Sequence, residues 1–410
     1  MKRTVQGYID EIPQWSDGTP SSSAPLTHMQ WLILVLAAGG KFFEGLVVLM
    51  TGVAVHLIAF EFNLDAIGKG VIAAAPLFGI LIGATMLGGL SDHYGRKKMF
   101  LVEMIIFILF LVGLMSADNF YIVVFSLFGI GMALGCDYPT AHAVITESMP
   151  SRSRGKLVLG TFAFQAVGAV FGTGIAYFTL VNNPDNIEAW RYMYAIVIIP
   201  AFIILIGRFK ITMSPHWLLS QGRTKEAESE LSRLLSKDPQ YPKEIKLNIV
   251  KSERSDTKRE EQSRGSYMDL FRAKYFKTTI FASVPWFLQD LGTYGIGIFT
   301  PTILAYTVGH KHAEHNVADM IESAMMASKG AAMLDTLLIV GILFAIFLTD
   351  RLGRVKLQFI GFTGCAVGLA IVAFSQRVDN HSMQTMMIFA GFIIFNFMTN
   401  MGPNSQTYLI

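Results

Sequence analysis

Gly88-Gly89-Leu90-Ser91-Asp92-His93-Tyr94-Gly95-Arg96-Lys97-Lys98 returns 258 residues later as Leu348-Thr349-Asp350-Arg351-Leu352-Gly353-Arg354-Val355-Lys356. Both copies read Asp-x-x-Gly-Arg. Both follow a long apolar stretch and precede another. A short polar element repeated at matching places in two apolar halves predicts a membrane protein built by internal duplication.

Working outward, the chain has 410 residues, of which 52% are apolar and only 15% charged. Soluble domains carry about 25% charge, so the composition itself points to the bilayer. A spanning helix needs roughly 20 mainly apolar residues. Ten candidate spans follow, at 30–58, 69–91, 99–117, 119–147, 156–181, 190–209, 277–305, 326–350, 356–376 and 384–410. The predicted fold class is an all-α polytopic membrane protein. Residues 1–29 read as a polar tail and 30–209 as a first bundle of six helices. Residues 210–276 form a polar connection, in which 224–236 has the apolar spacing of a surface helix. Residues 277–410 form a second bundle of four helices.

If the spans alternate, 27 of the 33 basic residues fall on one side of the membrane. They include Arg96–Lys98, Arg152–Lys156, sixteen from Arg208 to Lys277, and Arg351–Lys356. The positive-inside rule then places that side, and the N-terminus, in the cytoplasm of a plasma membrane or bacterial inner membrane. Cys136 and Cys365 sit in apolar runs and predict no disulfide framework.

Ionisable groups deep in a span cost several kcal/mol, which makes them the first candidates for function. Glu44 and Lys41 lie in the first span, Asp137 in the fourth, Asp290 in the seventh and Asp335 in the outer third of the eighth. Glu44, Asp137, Asp290 and Asp335 are the proton-coupling candidates, since burial lets a carboxylate exchange protons near neutral pH. The structural alternative is that each acid pairs with Lys41 or with backbone. Lys41 lies one turn before Glu44, so a local ion pair is open, as is a role for Lys41 toward an anionic substrate. Trp286, Asp290 and Tyr294 recur at i, i+4, i+8 and share a helix face.

The duplicated loop resembles the signature of the major facilitator superfamily, between its helices 2 and 3 and again between 8 and 9. That resemblance implies two pseudo-symmetric bundles and twelve helices. Ten are found, so the chain is expected to be a fragment. Gly135-Cys136-Asp137-Tyr138-Pro139, Phe164-Gln165, Trp286-Phe287-Leu288-Gln289-Asp290 with Tyr294-Gly295, and Gly402-Pro403-Asn404-Ser405 resemble the phosphate:proton symporters of that superfamily. The likeness implies that Tyr138, Gln165, Trp286 and Tyr294 surround a substrate beside Asp137 and Asp290; Asn404, in the matching last motif, and Lys41, by its charge, are further substrate-binding candidates. Glu147-Ser148-Met149-Pro150 with Arg154-Gly155, and Ser214-Pro215-His216-Trp217-Leu218, resemble the sugar porters. There the loops imply a cytoplasmic gate of Asp92, Gly95, Arg96, Glu147, Arg154, Asp350, Gly353 and Arg354. Met213 stands where those carriers have an acid, so a link through it is not expected.

The expected activity is proton-coupled symport of a small polar solute: a sugar, organic acid or other metabolite, or inorganic phosphate. The expected partners are that solute, protons and the lipid bilayer, with no nucleic acid, and the carrier is expected to be a monomer. A membrane sensor that keeps the fold without transporting is a second reading, and a drug exporter a third. Against the exporter, Gly168–Gly174 lacks the Gly-Pro ending of antiporters. No nucleophile motif, metal-ligand pair or phosphate-cradling Gly loop stands out, so neither an enzyme nor a cofactor is expected. His310, His312 and His315 read as a solvated loop rather than a metal site. Asn380-His381-Ser382 is a formal glycosylation sequon.

Overall fold

The computed structural model describes residues 4–12, 26–236, 245–247, 267–301, 303–304 and 317–407. The His310, His312 and His315 cluster lies outside them. Among the described residues the architecture is helical throughout. A short helix, α1 (Val5–Ile9), precedes the spans. The first six spans are α2 (His28–Glu61), α3 (Ala66–Ile82), α5 (Arg96–Met115), α6 (Phe120–Ser148), α7 (Arg154–Asn182) and α8 (Ala189–Lys210). A wide π-helical turn, Gly83–Leu87, leads from α3 to the short α4 (Leu90–Tyr94). Two surface helices follow α8: α9 (Pro215–Ser220) and α10 (Thr224–Leu234). The remaining spans are α11 (Ala273–Gly297), α12 (Val317–Leu352), α13 (Arg354–Ser375) and α14 (His381–Met401), with a last short turn α15 (Pro403–Thr407).

Polar residues start these helices where the sequence changes character. Thr27 and Gln30 form a reciprocal capping box on α2, which satisfies orphan backbone donors at a helix start. Asp65 caps α3 and Asn119 caps α6. The sequon residue Asn380 spends its side-chain oxygen capping α14 through Met383 N–H.

Nine helices among the described residues are long and apolar enough to cross a membrane. The tenth expected span exists as α11 but falls short of that apolarity, because Gln289, Asp290 and Thr293 interrupt it. Several boundaries are corrected. The seventh span ends at Gly297 rather than 305, and the eighth begins at Val317 rather than 326. The last span runs His381–Thr407, with a break at Gly402 between α14 and α15. The polar tail is corrected too: Val5, Tyr8 and Ile9 are buried. Gln6 and Asp10 bond Ser151, and Tyr8 bonds the Lys246 backbone.

α2 packs on α7, α6 and α8, α3 on α6, and α5 on α6 and α8, which makes one bundle. α12, α13 and α14 make a second, and α12 lies along α7 between the two. Glycine sets the closest approach. A Cβ at Gly45 would stand 1.9 Å from the Gln165 carbonyl oxygen, and one at Gly168 1.9 Å from that of Phe42. Small residues let backbones meet this closely where lipid offers no hydrophobic drive between helices.

Candidate functional site

Glu44 sits mid-way along α2 at 1% exposure. Its Oε1 accepts from the hydroxyls of Tyr138 on α6 and Tyr294 on α11, and from Gln165 Nε2 on α7 at 2.8 Å. Its Oε2 pairs with Lys41 Nζ at 3.0 Å. The local ion pair therefore forms, and the carboxylate also gathers donors from both bundles. Lys41 additionally lies over the Tyr138 ring.

The network continues through amides. Gln165 Nε2 bonds the Tyr294 hydroxyl at 2.8 Å, and Asn404 Nδ2 on α15 donates to Gln165 Oε1 at 3.2 Å. Gln289 on α11 donates to Asn404 Oδ1 at 2.8 Å, and Asn404 donates to Asn400 on α14. Trp286 meets the Tyr138 ring edge-to-face with centroids 6.3 Å apart. Half-buried Asp290 stands one turn on, within reach of the Trp286 and Gln289 side chains. Lys41, Glu44, Tyr138, Gln165, Trp286, Asp290, Tyr294 and Asn404 thus converge. Gln289 and Asn400 were overlooked in the sequence. Their signal was a neutral amide beside, or one turn before, a residue already singled out.

Asp137 is placed elsewhere, which corrects the expectation that it faces the same site. It turns against the α2 backbone at Gly40, where a Cβ would collide with its carboxylate. Its Oδ1 accepts from Arg208 Nη2 at 2.7 Å. Arg208 Nη1 reaches Glu103 Oε1 at 2.6 Å and Phe100 O at 2.7 Å, and the guanidinium stacks on the Phe100 ring. Arg208, counted in the sequence with the loop charges, is fully buried, and Glu103 was overlooked although it lies two turns into an apolar span.

Asp335 also stands apart, on α12 opposite Thr173 of α7 at 3.2 Å. The longer helix puts it at the helix midpoint rather than in an outer third.

At the end carrying the Asp-x-x-Gly-Arg loops, hereafter the motif end, Arg96 joins Asp92 at 2.6 Å and Glu147 at 3.1 Å. Ser214 also donates to Glu147, so α9 enters this network one residue after Met213, whose own N–H goes to Glu230. Trp217 Nε1 donates to Asp92 O at 2.9 Å. Burial, joined by the Arg154 charge and opposed by Glu147, lowers the pKa of His216 beside this network. In the second copy Asp350 reaches across to Lys156 of α7 at 3.0 Å. Both ends of that pair are exposed, so its net worth is at most about 1 kcal/mol. Arg154 donates to Met149 O within its own loop.

Gly95 and Gly353 have φ of 95° and 82°, a region that L side chains rarely enter. At Gly95 a Cβ would also stand 3.2 Å from the Trp217 ring. Gly95→Ala should cost about 2 kcal/mol. Gly222→Ala, at φ 72° with open space around it, should cost about 1 kcal/mol. Equal melting temperatures for the two variants would show that the Trp217 contact carries no strain.

A family model described as "Sugar (and other) transporter" matches residues 32–410. The inner membrane metabolite transport protein YgcS of Escherichia coli (strain K12) is 30% identical over 378 residues, covering 90% of this chain and 75% of the relative. YaaU of the same organism is 32% identical over 288 residues, covering 70% of this chain. The match spans only 60% of the length of YaaU. Among solved structures, the partially occluded inward-open form of the xylose transporter XylE from E. coli aligns with a TM-score of 0.72 at 19% identity, over 93% of this chain and 86% of the other. That protein is described as a proton:xylose symporter.

Proposed function

The chain belongs to the sugar (and other) transporter family and has its all-α major facilitator fold, and from that premise we propose that it is a proton-coupled carrier of a small polyhydroxylated metabolite. The observation that carries the reading is the Glu44 carboxylate, which accepts hydrogen bonds from α6, α7 and α11 together. One proton on Glu44 turns an acceptor shared by both bundles into a donor. That change loosens its hold on Tyr138 and Tyr294 and lets the bundles rock about the site. Asp290 is the second proton acceptor on this path, and Asp137, with Glu103 and Arg208, braces α2 behind Glu44.

The lining favours hydroxyl groups. Tyr138, Tyr294, Gln165, Gln289, Asn400 and Asn404 offer amides and phenols, and Trp286 offers an aromatic edge. Lys41 is already neutralised by Glu44, which argues against phosphate as the solute. The charge distribution supports a multi-pass protein of the plasma membrane, or of the inner membrane in a bacterium, with the motif end and N-terminus in the cytoplasm. There Asp92, Gly95, Arg96 and Glu147, with Arg154, Asp350, Gly353 and Arg354, close the cytoplasmic gate.

The test is uptake into proteoliposomes of labelled xylose, glucose, myo-inositol and phosphate, with and without an inward proton gradient. One of the three hydroxylated solutes should accumulate and be lost on adding a protonophore. Phosphate accumulation would overturn the solute class. Uptake indifferent to the gradient would overturn the coupling, and no flux of any solute from folded protein would favour a sensor.

A further inference from the structure

We propose that Asp335 is a further proton-binding residue of this carrier, separate from Glu44 and Asp290, and that Thr173 positions it so that protonation holds the two bundles together on the outer side of the central site. The inference rests on the proton-coupled reading above but concerns different residues.

Asp335 and Thr173 belong to α12 and α7, the helices along which the two bundles meet. Thr173 lies eight residues beyond Gln165, so the pair sits about 12 Å farther from the motif end than the Glu44 network, at 1.5 Å per residue. Asp335 is 4% exposed and Thr173 is fully buried.

Three of the other deep acids have a cation, and Asp290 has the Trp286 and Gln289 side chains within reach. Glu44 has Lys41, while Asp137 and Glu103 share Arg208. Among the described residues Asp335 has no cation beside it. α7 carries no ionisable group between Lys156 and Tyr177, and α14 none after His381. α13 offers Arg354, Lys356 and Cys365, and α15 offers none. α2 offers Lys41, Glu44 and His56, and α12 itself Lys329 and Asp350 on either side. None of these acts on Asp335, whose one polar contact among the described residues is Thr173.

Proton counting then selects the neutral acid. Thr173 Oγ1 is 3.0 Å from Ala169 O, 3.3 Å from Val170 O and 3.2 Å from Asp335 Oδ2. The hydroxyl has one proton, and carbonyl oxygens only accept. An ionised Asp335 would be a third acceptor for that single proton. A neutral Asp335 instead donates to Thr173 Oγ1, and Thr173 donates to its own helix. The Thr173 hydroxyl then both accepts and donates, and the Oδ2 proton has an acceptor. Ionisation leaves a buried charge without a partner, which costs several kcal/mol, and the relief available is to part α7 from α12 and admit water. A proton taken from the outer solution onto Oδ2 therefore closes this contact, and its loss opens it.

Beyond Asp335, Val53, His56, Pro301, Ser323 and Ala327 line a narrow cleft between α2 and α12. Ser323→Cys, in a full-length chain carrying Cys136→Ala and Cys365→Ala, reports access to it by a membrane-impermeant maleimide applied to intact cells. Asp185→Cys, exposed between α7 and α8, serves in a parallel protein to correct for the pH dependence of the thiol reaction. Corrected labelling of Ser323→Cys should rise at least ~10-fold from pH 5.5 to 8.5, the change one pKa unit represents. Asp335→Asn should hold it low at every pH. Thr173→Val, which removes the acceptor of the Asp335 proton, should move the midpoint to lower pH, and Thr173→Ser should not. A pH slope that survives Asp335→Asn overturns the proposal. Identical behaviour of the Val and Ser variants overturns the role of Thr173. Labelling needs no substrate, so failure of gradient-driven uptake and failure of this clamp are read separately.

Discussion

Arg208→Ala should destabilise the first bundle by roughly 3–5 kcal/mol, the range for removing one partner of a buried ion pair. Among the described residues Arg208 is the one cation in contact with both Glu103 and Asp137, at 2.6 and 2.7 Å, and all three are almost wholly buried. Its guanidinium also serves Phe100 O and stacks on the Phe100 ring. Alanine would leave two carboxylates in an apolar interior with no countercharge, and a cavity where the side chain had been. Arg208→Lys should rescue only in part, since an ammonium cannot reproduce the planar fork that meets two acids at once. The combination Arg208→Met, Glu103→Met and Asp137→Val should return stability closer to the parent, because replacing a buried charge set by apolar groups is often neutral. Thermal melting of the purified protein in detergent checks all three. A single Arg208→Ala variant that melts with the parent would mean that the triad contributes nothing to stability.

Glu44→Gln should reduce uptake per folded molecule about 100-fold, and should also lower the melting temperature, since buried Lys41 loses its countercharge. The amide keeps the shape of the carboxylate and a carbonyl acceptor, but loses the charge to which Tyr138, Tyr294 and Gln165 donate. Hydrogen bonds to a charged acceptor are worth about 1.5–3 kcal/mol each, and about 2.7 kcal/mol corresponds to a factor of 100. Exchange of labelled for unlabelled solute, which needs no net proton movement, should survive better than accumulation. Tyr294→Phe, which removes one donor from the second bundle, should cost about tenfold. Full accumulation in Glu44→Gln would remove Glu44 from the coupling path.

Much of this site was legible before any coordinate. Depth along a span follows from counting residues, and a shared face follows from the helical repeat. Lys41, Glu44, Gln165 and Tyr294 were placed at the right level by those two rules and by their likeness to known carriers, and they do meet. The ion-paired loop residues Asp92, Arg96 and Glu147 were legible as repeated or matching loop motifs.

Asp137 shows the limit. It is adjacent to Tyr138 and at the same depth, yet successive residues on a helix point about 100° apart. Tyr138 turns to Glu44 while Asp137 turns to Arg208. Nothing in the local sequence says which of the two faces the partner helix. Arg208 shows the same limit from the other side. At the end of an apolar run it reads as a loop charge, and only the packing of α5, α6 and α8 around it makes it a buried countercharge.

The sequence by itself determined that this chain is a duplicated bundle of membrane helices with its basic residues gathered on one side. Composition, span length and the twice-used Asp-x-x-Gly-Arg loop are local properties, readable without neighbours. Packing alone settles which buried acid has a cation, which has a shared hydroxyl, and which joins the two bundles. Those outcomes depend on the rotation of each helix about its own axis, and side chains distant in sequence set that rotation when they pack.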